Sequence, residues 1–264
     1  MGVINVTPDS FSDGGAFYRG GRLDVGAVQA HAAQLVADGA AVLDIGGEST
    51  RPGAATVAAA EERARVLPVI AALAELHVPL SVDTSSPELM SAAIDLGAAI
   101  INDVRALSRP GALAAVARNQ VGVCLMHMQG SPQDMQRAPA YSDVVTEVRE
   151  FLARRVECCR DAGIADQRML IDPGFGFGKS LEHNLTMLRR LSEFLSLGLP
   201  LLVGLSRKGT IGLVTGQTDA RLRLAGSLAA AILAAQAGAK LIRAHDVRAT
   251  VDALKMVAAV AEAQ

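Results

Sequence analysis

Tryptophan is absent from the 264-residue chain, which also has only two tyrosines and six phenylalanines. Half the residues are nonetheless hydrophobic, so the core is expected to be built from Ala, Val, Leu and Ile. That composition suits parallel strands buried on both faces. The three cysteines, Cys124, Cys158 and Cys159, form neither a disulfide framework nor a metal-ligand spacing. Cys158 and Cys159 are adjacent on a predicted helix and point apart, which leaves reduced thiols and a cytoplasmic location as the reading. No run of Lys or Arg occurs and the formal net charge is -2, which argues against nonspecific nucleic-acid binding. Long apolar runs are lacking too. The most apolar stretch, residues 224–239, is Ala-rich, interrupted by Gln236 and too short to span a bilayer. A strand-like run starts at residue 2, so no leader peptide is predicted.

What the chain does contain is a strand-then-helix unit, repeated eight times. Strands are predicted at Gly2–Val6, Ala41–Gly46, Pro79–Asp83, Ala98–Asp103, Gly122–His127, Met169–Asp172, Pro200–Leu205 and Lys240–Ala244. Helices are predicted near 24–38, 56–77, 87–96, 111–118, 142–162, 181–196, 220–237 and 247–262, several with apolar residues three and four apart, such as Leu181, Leu185, Leu188 and Leu195. Gly-Ala pairs at 39–40, 97–98 and 238–239 sit where a glycine would end each helix before the next strand. Eight units without a linker predict one α/β domain over residues 1–264, a (β/α)8 TIM barrel, a fold that takes about 250 residues. An open doubly wound sheet would need a glycine-rich phosphate turn after its first strand. This chain has Asn5-Val6-Thr7-Pro8-Asp9-Ser10 there.

Barrel enzymes carry their chemistry at the C-terminal ends of the strands, and that is where polar residues gather. Asn5 ends the first strand, and Glu48, Thr50 and Arg51 follow the second. Asp83, Asn102-Asp103, His127 and Asp172 end the next four. Ser206, Arg207 and Lys208 follow the seventh, while Arg243, His245 and Asp246 close the eighth. Any one of these carboxylates could simply cap a helix. A full ring of them inside apolar runs is costly unless a ligand or partner satisfies it. Asp83, Asn102 and Asp172 offer acceptors to a flat heterocycle with N–H donors on its edge. Arg51, Lys208, Arg243 and His245 suit phosphate oxygens. A heterocycle with a phosphate-bearing tail is the ligand class these residues predict.

Two apparent motifs point elsewhere. Gly174-Phe-Gly-Phe-Gly-Lys179-Ser180 resembles a P-loop, but Pro173 occupies the place of its first glycine. A tight loop is the better reading, with Phe175 or Phe177 as an aromatic wall. His127 lacks a partner at metal-ligand spacing and reads as a packed or hydrogen-bonded histidine.

Several segments together resemble the dihydropteroate synthases. They are Met1–Gly15 (MGVINVTPDSFSDGG), Asp44–Gly53 (DIGGESTRPG), Ser81-Val-Asp-Thr-Ser85, Ile101-Asn-Asp103, Asp172–Lys179, Ser206-Arg-Lys208 and Arg243-Ala-His-Asp246, in the family's order over essentially the whole chain. The resemblance implies displacement of pyrophosphate from 6-hydroxymethyl-7,8-dihydropterin pyrophosphate by p-aminobenzoate, through a dissociative, carbocation-like route without a covalent enzyme intermediate. It implies that Asp83, Asn102, Asp172 and Lys208 grip the pterin and that Asn5 holds Mg²⁺ with the pyrophosphate. Thr50, Arg51, Arg243 and His245 would surround that leaving group. Phe177, Pro52, Lys208 and Ser206 would lie around p-aminobenzoate. The first two loops would act as lids.

The resemblance further implies a homodimer through outer helices late in the chain. It implies sulfonamide sensitivity as well, since Phe11, Thr50 and Pro52 are ordinary for the family. Relatives carry a short segment ahead of the first strand, whereas Met1 here lies inside the signature. Two alternatives stay open. A pterin-dependent methyltransferase would share the Asp83, Asn102 and Asp172 grip but would not need the Asn5, Thr50-Arg51-Pro52 and Ser206-Arg207-Lys208 segments. A non-catalytic pterin-binding homologue is expected to have lost phosphate-handling residues, yet Asn5, Arg51, Lys208, Arg243 and His245 are all in place.

Overall fold

The computed structural model describes residues 1–8, 15, 17–49, 53 and 57–263. At its centre are eight parallel strands: β1 (Gly2–Asn5), β2 (Leu43–Gly46), β3 (Leu80–Asp83), β4 (Ile100–Asp103), β5 (Gly122–Met126), β6 (Met169–Asp172), β7 (Leu202–Val203) and β8 (Leu241–Ile242). The first six form one sheet in chain order, and β7 and β8 pair with each other. Single parallel bridges, Ile171 with Leu201 and Gly2 with Ala244, join that pair to the two edges of the sheet. The second seam is reinforced by backbone bonds from Val3 to Ala244 (3.2 Å) and from Ala244 to Met1 (2.9 Å). The ring is thus continuous, as the barrel reading requires. Strands β7 and β8 are shorter than the apolar runs suggested. Pro200 has no N–H to give, and only two residues of each strand meet in register.

The helices around the ring are α1 (Val25–Ala37), α2 (Ala59–Leu73), α3 (Pro87–Asp95), α4 (Ala112–Ala117), α5 (Val144–Asp161), α6 (Leu181–Arg189), α7 (Gly209–Thr215), α8 (Leu224–Gln236) and α9 (Val247–Glu262). Their starts are written in side chains. Asp24, Ser86, Asp143 and Ser180 accept from backbone N–H groups of the first turns of α1, α3, α5 and α6. Gly39, Gly97 and Gly238 follow helices with positive φ, as the Gly-Ala pairs predicted. The helix predicted over 181–196 instead stops at Arg189, and a 3₁₀ segment, Leu191–Leu197, follows. The Tyr18–Arg19/Arg22–Leu23 hairpin and α7 were not foreseen, being too short for any periodicity to show.

Alternation along each strand divides the apolar residues in two. Ile4, Leu43, Ile45, Val82, Ile101, Val123, Leu125 and Ile171 join the large core between strands and helices. Met1, Cys124 and Leu202, with Val42, Leu170 and Leu241 against them, make a separate small cluster that plugs the ring's interior. Polar side chains stand above that plug. The three thiols are free, as read from their spacing.

Candidate active site

Register places the polar residues. Asn5 is opposite Gly46, Gly46 opposite Asp83, and Asp83 opposite Asn102, so four neighbouring strands end at one level. Gly46 has no side chain, which leaves bare backbone between Asn5 and Asp83. Two residues back along β2, on the same face, lies Asp44, fully buried. It is the residue that strand-end reasoning missed. Its carboxylate accepts from Arg243 Nε (2.6 Å), Ser81 Oγ (2.6 Å) and Asn102 Nδ2 (3.3 Å). The other arm of Arg243 reaches Asp83 at 3.3 Å. With its amide N–H turned toward Asp44, Asn102 keeps its Oδ1 buried and without a hydrogen-bond partner. An orphaned acceptor of that kind costs about 1–3 kcal/mol unless a ligand donor fills it.

The opposite wall comes from β6 and the loops after β6 and β7. Asp172 accepts from the backbone N–H of Gly174 (2.7 Å). Lys208 Nζ donates to Phe175 O and lies 4.7 Å from the centroid of the Phe177 ring. Phe177 is therefore the aromatic wall, while Phe175 is wholly buried in the core. Ser206 Oγ accepts from His245 N (3.1 Å) and lies 3.1 Å from His245 Nδ1, tying the β7 and β8 loops together. Asn5, Asp83, Asn102, Asp172, Phe177, Lys208, Ser206, Arg243 and His245 all line one cavity of about 560 Å³ over the strand ends. That volume suits a small-molecule site. Thr50, Arg51, Pro52 and Phe11 lie outside the described residues.

Other strand-end polar residues serve the scaffold. Asp103 accepts from Ser85 Oγ and from the N–H groups of Arg105 and Leu107, holding a turn in which Ala106 and Leu107 have positive φ. Asp246 takes both arms of Arg207 (2.9 and 2.6 Å). His127 is packed edge-on against Phe151 and bonded to Lys179, as its lack of metal-spaced partners predicted.

Burial shapes the charges. It raises the Asp83 carboxyl, helped by the Asp44 charge and opposed by Arg243. It also raises Asp172, opposed by Lys208. Burial lowers Lys208 to about 8, against the pull of Asp172. For Arg243 the effect of burial is outweighed by Asp44 and Asp83, which keep it a cation. The cavity therefore offers a ring of acceptors interleaved with basic groups, Lys208 and Arg243 among them. Among the described residues no three His, Cys, Asp or Glu side chains come together as a metal cage. A Mg²⁺ ion bridging a substrate's phosphates needs only one or two protein oxygens, with waters completing the shell. The Asn5 amide at the rim has the right donor chemistry for that.

These features suit the N–H edge of a small heterocycle, and comparison with known proteins names the class. Residues 1–245 match the pterin binding enzyme family. The dihydropteroate synthase of Escherichia coli K12 is 51% identical over 267 residues, covering 100% of this chain and 92% of that protein. The Yersinia pestis dihydropteroate synthase, solved with a sulfonamide drug, superposes with a TM-score of 0.95 at 48% identity, covering 99% of this chain and 94% of that one. The Xanthomonas albilineans enzyme in complex with 7,8-dihydropteroate gives 0.86 at 47% identity, with 100% and 92% covered. The chain belongs to the pterin-binding enzymes and, within them, to the dihydropteroate synthases.

Proposed function

We propose that the chain joins 6-hydroxymethyl-7,8-dihydropterin pyrophosphate to p-aminobenzoate, releasing 7,8-dihydropteroate and pyrophosphate. The observation that carries this is the unpartnered Asn102 Oδ1 between Asp83 and Asp172. Three converging acceptors match the amino and ring N–H donors of a pterin edge. The complexes of relatives with 7,8-dihydropteroate and with a sulfonamide drug support the same chemistry.

In this reading the pterin lies over Asp83, Asn102 and Asp172, with Lys208 above its far edge. The C–O bond from the pterin's exocyclic methylene to pyrophosphate breaks first, with the electron pair leaving on pyrophosphate, and the arylamine nitrogen then forms the C–N bond to the cationic methylene. That nitrogen then loses a proton to solvent. Asp83 faces positive charge that grows on the pterin as the C–O bond lengthens, and preorganised charge of this kind is a large catalytic term. Arg243 and His245, with Arg51 and Thr50, face the departing pyrophosphate. Ser206, Phe177, Lys208 and Pro52 border p-aminobenzoate. Asn5 would hold a Mg²⁺ ion at the rim, which would supply neutralisation of the leaving group's charge.

The chain acts as a homodimer in this proposal. Leu213, Val214, Leu222, Leu233, Met256 and Val260 on and beside α7, α8 and α9 are large, apolar and exposed. Among the described residues no helix is long and apolar enough to cross a membrane; the free thiols support a cytoplasmic location as part of the proposal. Sulfonamides should compete with p-aminobenzoate, and full activity in excess sulfamethoxazole would contradict that.

The test is pyrophosphate release from dihydropterin pyrophosphate and Mg²⁺, with and without p-aminobenzoate, for the parent and Asp83→Ala. Release that requires p-aminobenzoate and vanishes in the variant supports the proposal. A folded protein that binds pterin yet releases nothing refutes it.

A further inference from the structure

The P-loop lookalike, residues 174–180, lends Phe177 to the chemistry above, and it also contains the most enclosed lysine of the described chain. Lys179 is 2% exposed. Its Nζ meets three acceptors and no carboxylate: His127 Nδ1 (2.9 Å), Gly174 O (2.9 Å) and Phe177 O (3.0 Å). Burial pushes Lys179 well below the usual lysine range and, with Lys179 alongside, lowers His127 to about 2, so a neutral imidazole meets Nζ across a 2.9 Å hydrogen bond.

Lys179 thereby draws the two ends of the Gly174–Phe177 turn onto one point. The turn's own bond, Phe177 N to Gly174 O, is long at 3.2 Å. Around it the loop is pinned from outside. Gly176 N donates to Asn184 Oδ1 (2.7 Å), and Tyr141 Oη donates to Gly178 O (2.9 Å). The turn supplies two things to the cavity: the Phe175 carbonyl that receives Lys208 Nζ, and the Phe177 ring beneath that same nitrogen.

We propose that Lys179 is a positioning residue for the arylamine end of the site, fixing the Phe177 ring through its bonds to the Gly174 and Phe177 carbonyls without touching either substrate. The proposal rests on the reading of Phe177 as part of the p-aminobenzoate wall, and the experiment separates the two. Steady-state kinetics with each substrate varied are compared for the parent, Lys179→Met, Phe177→Ala and the double variant. A misplaced aromatic wall is a binding defect for one substrate. Lys179→Met is therefore expected to raise KM for p-aminobenzoate about 10-fold or more while KM for the dihydropterin pyrophosphate stays within about 3-fold. Because Lys179 acts through the ring, the double variant should bind p-aminobenzoate no worse than Phe177→Ala.

Equal rises in both KM values, a fall in kcat alone, or additive effects in the double variant overturn the proposal. If Phe177→Ala leaves KM for p-aminobenzoate unchanged, the reading of the wall fails instead. Lys179→Gln, which keeps an amide donor, should recover part of the lost affinity. Failure of both Lys179 variants to fold also overturns the proposal, since the lysine would then serve the fold as a whole.

Discussion

Replacing Asp44 should damage stability and pterin recognition together. The carboxylate has no exposed surface and receives three donors: the Arg243 guanidinium and Ser81 hydroxyl at 2.6 Å, and the Asn102 amide at 3.3 Å. In Asp44→Ala, Arg243 keeps only its 3.3 Å contact to Asp83. Breaking a buried ion pair from one side costs about 3–5 kcal/mol. The stranded Ser81 and Asn102 donors belong to the same network, so their losses do not simply add. At about 2–4 °C per kcal/mol for a domain of this size, Tm should fall by about 6–20 °C. Asp44→Asn keeps the shape and one acceptor and should lose less.

Recognition should suffer because nothing then holds the Asn102 amide with its N–H groups inward. A turned amide presents donors to a pterin edge that also donates. An unsatisfied group costs about 1–3 kcal/mol, and at about 1.4 kcal/mol per tenfold the dihydropterin pyrophosphate should bind roughly 5- to 150-fold more weakly to Asp44→Ala. Calorimetric titration of the ligand and thermal unfolding of the parent and both variants check this. An Asp44→Ala protein with Tm within about 2 °C of the parent and unchanged pterin affinity would refute the account of Asp44 as the anchor of the floor.

Glu62 on α2 is buried, has an oxygen without a partner, and is raised from 4.5 to about 7, mainly by burial. Between those values the folded chain keeps a proton that the unfolded chain has released, so stability is lost as pH rises through the window. Glu62→Gln should therefore stabilise the protein by up to about 3 kcal/mol at pH 8 and by almost nothing at pH 4.5; equal Tm differences at both pH values would contradict this. Lys208, at about 8, should lose its charge at alkaline pH, so kcat/KM falls above that value. Lys208→Arg should remove that limb of the profile whatever its absolute rate, and an unchanged limb would assign it elsewhere. Gly174→Ala would set a Cβ 1.8 Å from His127 O at a φ of +72°. It should cost well over the ~1–2 kcal/mol of left-handed strain alone, whereas Gly163→Ala, at +83° with nothing within 4 Å, should cost only the strain. Denaturant unfolding of the two variants compares them directly.

Strand ends were legible in the sequence because a barrel brings them together whatever lies between. Asp83, Asn102, Asp172, Lys208, Arg243 and His245 could be assigned to one cavity from the order of apolar runs alone, and they line one. Depth was not legible. Asp44 sits only two residues before the end of β2, inside an apolar run, and nothing local marks it as the partner of an arginine 199 positions later. Local pattern also gives no measure of enclosure: Pro173 rules out a P-loop around Lys179, but only the fold shows His127 and two carbonyls closed around its Nζ.

The Asp44–Arg243 pair also lies beside one of the two thin seams of the barrel. Strand β8 meets β1 through one bridge, Gly2 with Ala244, whereas β1 and β2 share four paired positions. Arg243 immediately precedes that bridge, and its guanidinium crosses the end of β1 to reach Asp44 on β2 and Asp83 on β3. The ion pairs therefore span the thin seam from inside the ring. A residue that helps close the barrel is also, in the proposed reaction, one that faces the departing pyrophosphate, so a substitution at Arg243 should loosen the wall as it alters catalysis. Arg243→Lys, which keeps the charge but cannot reach both carboxylates with a planar fork, should accordingly lose activity and seam stability together. Hydrogen exchange at the Val3 and Ala244 amides, the two that bond across this seam, should accelerate in that variant while the amides of β4 and β5 keep their protection. Unchanged exchange at Val3 and Ala244 in an inactive Arg243→Lys protein would separate the two roles and confine the arginine to chemistry.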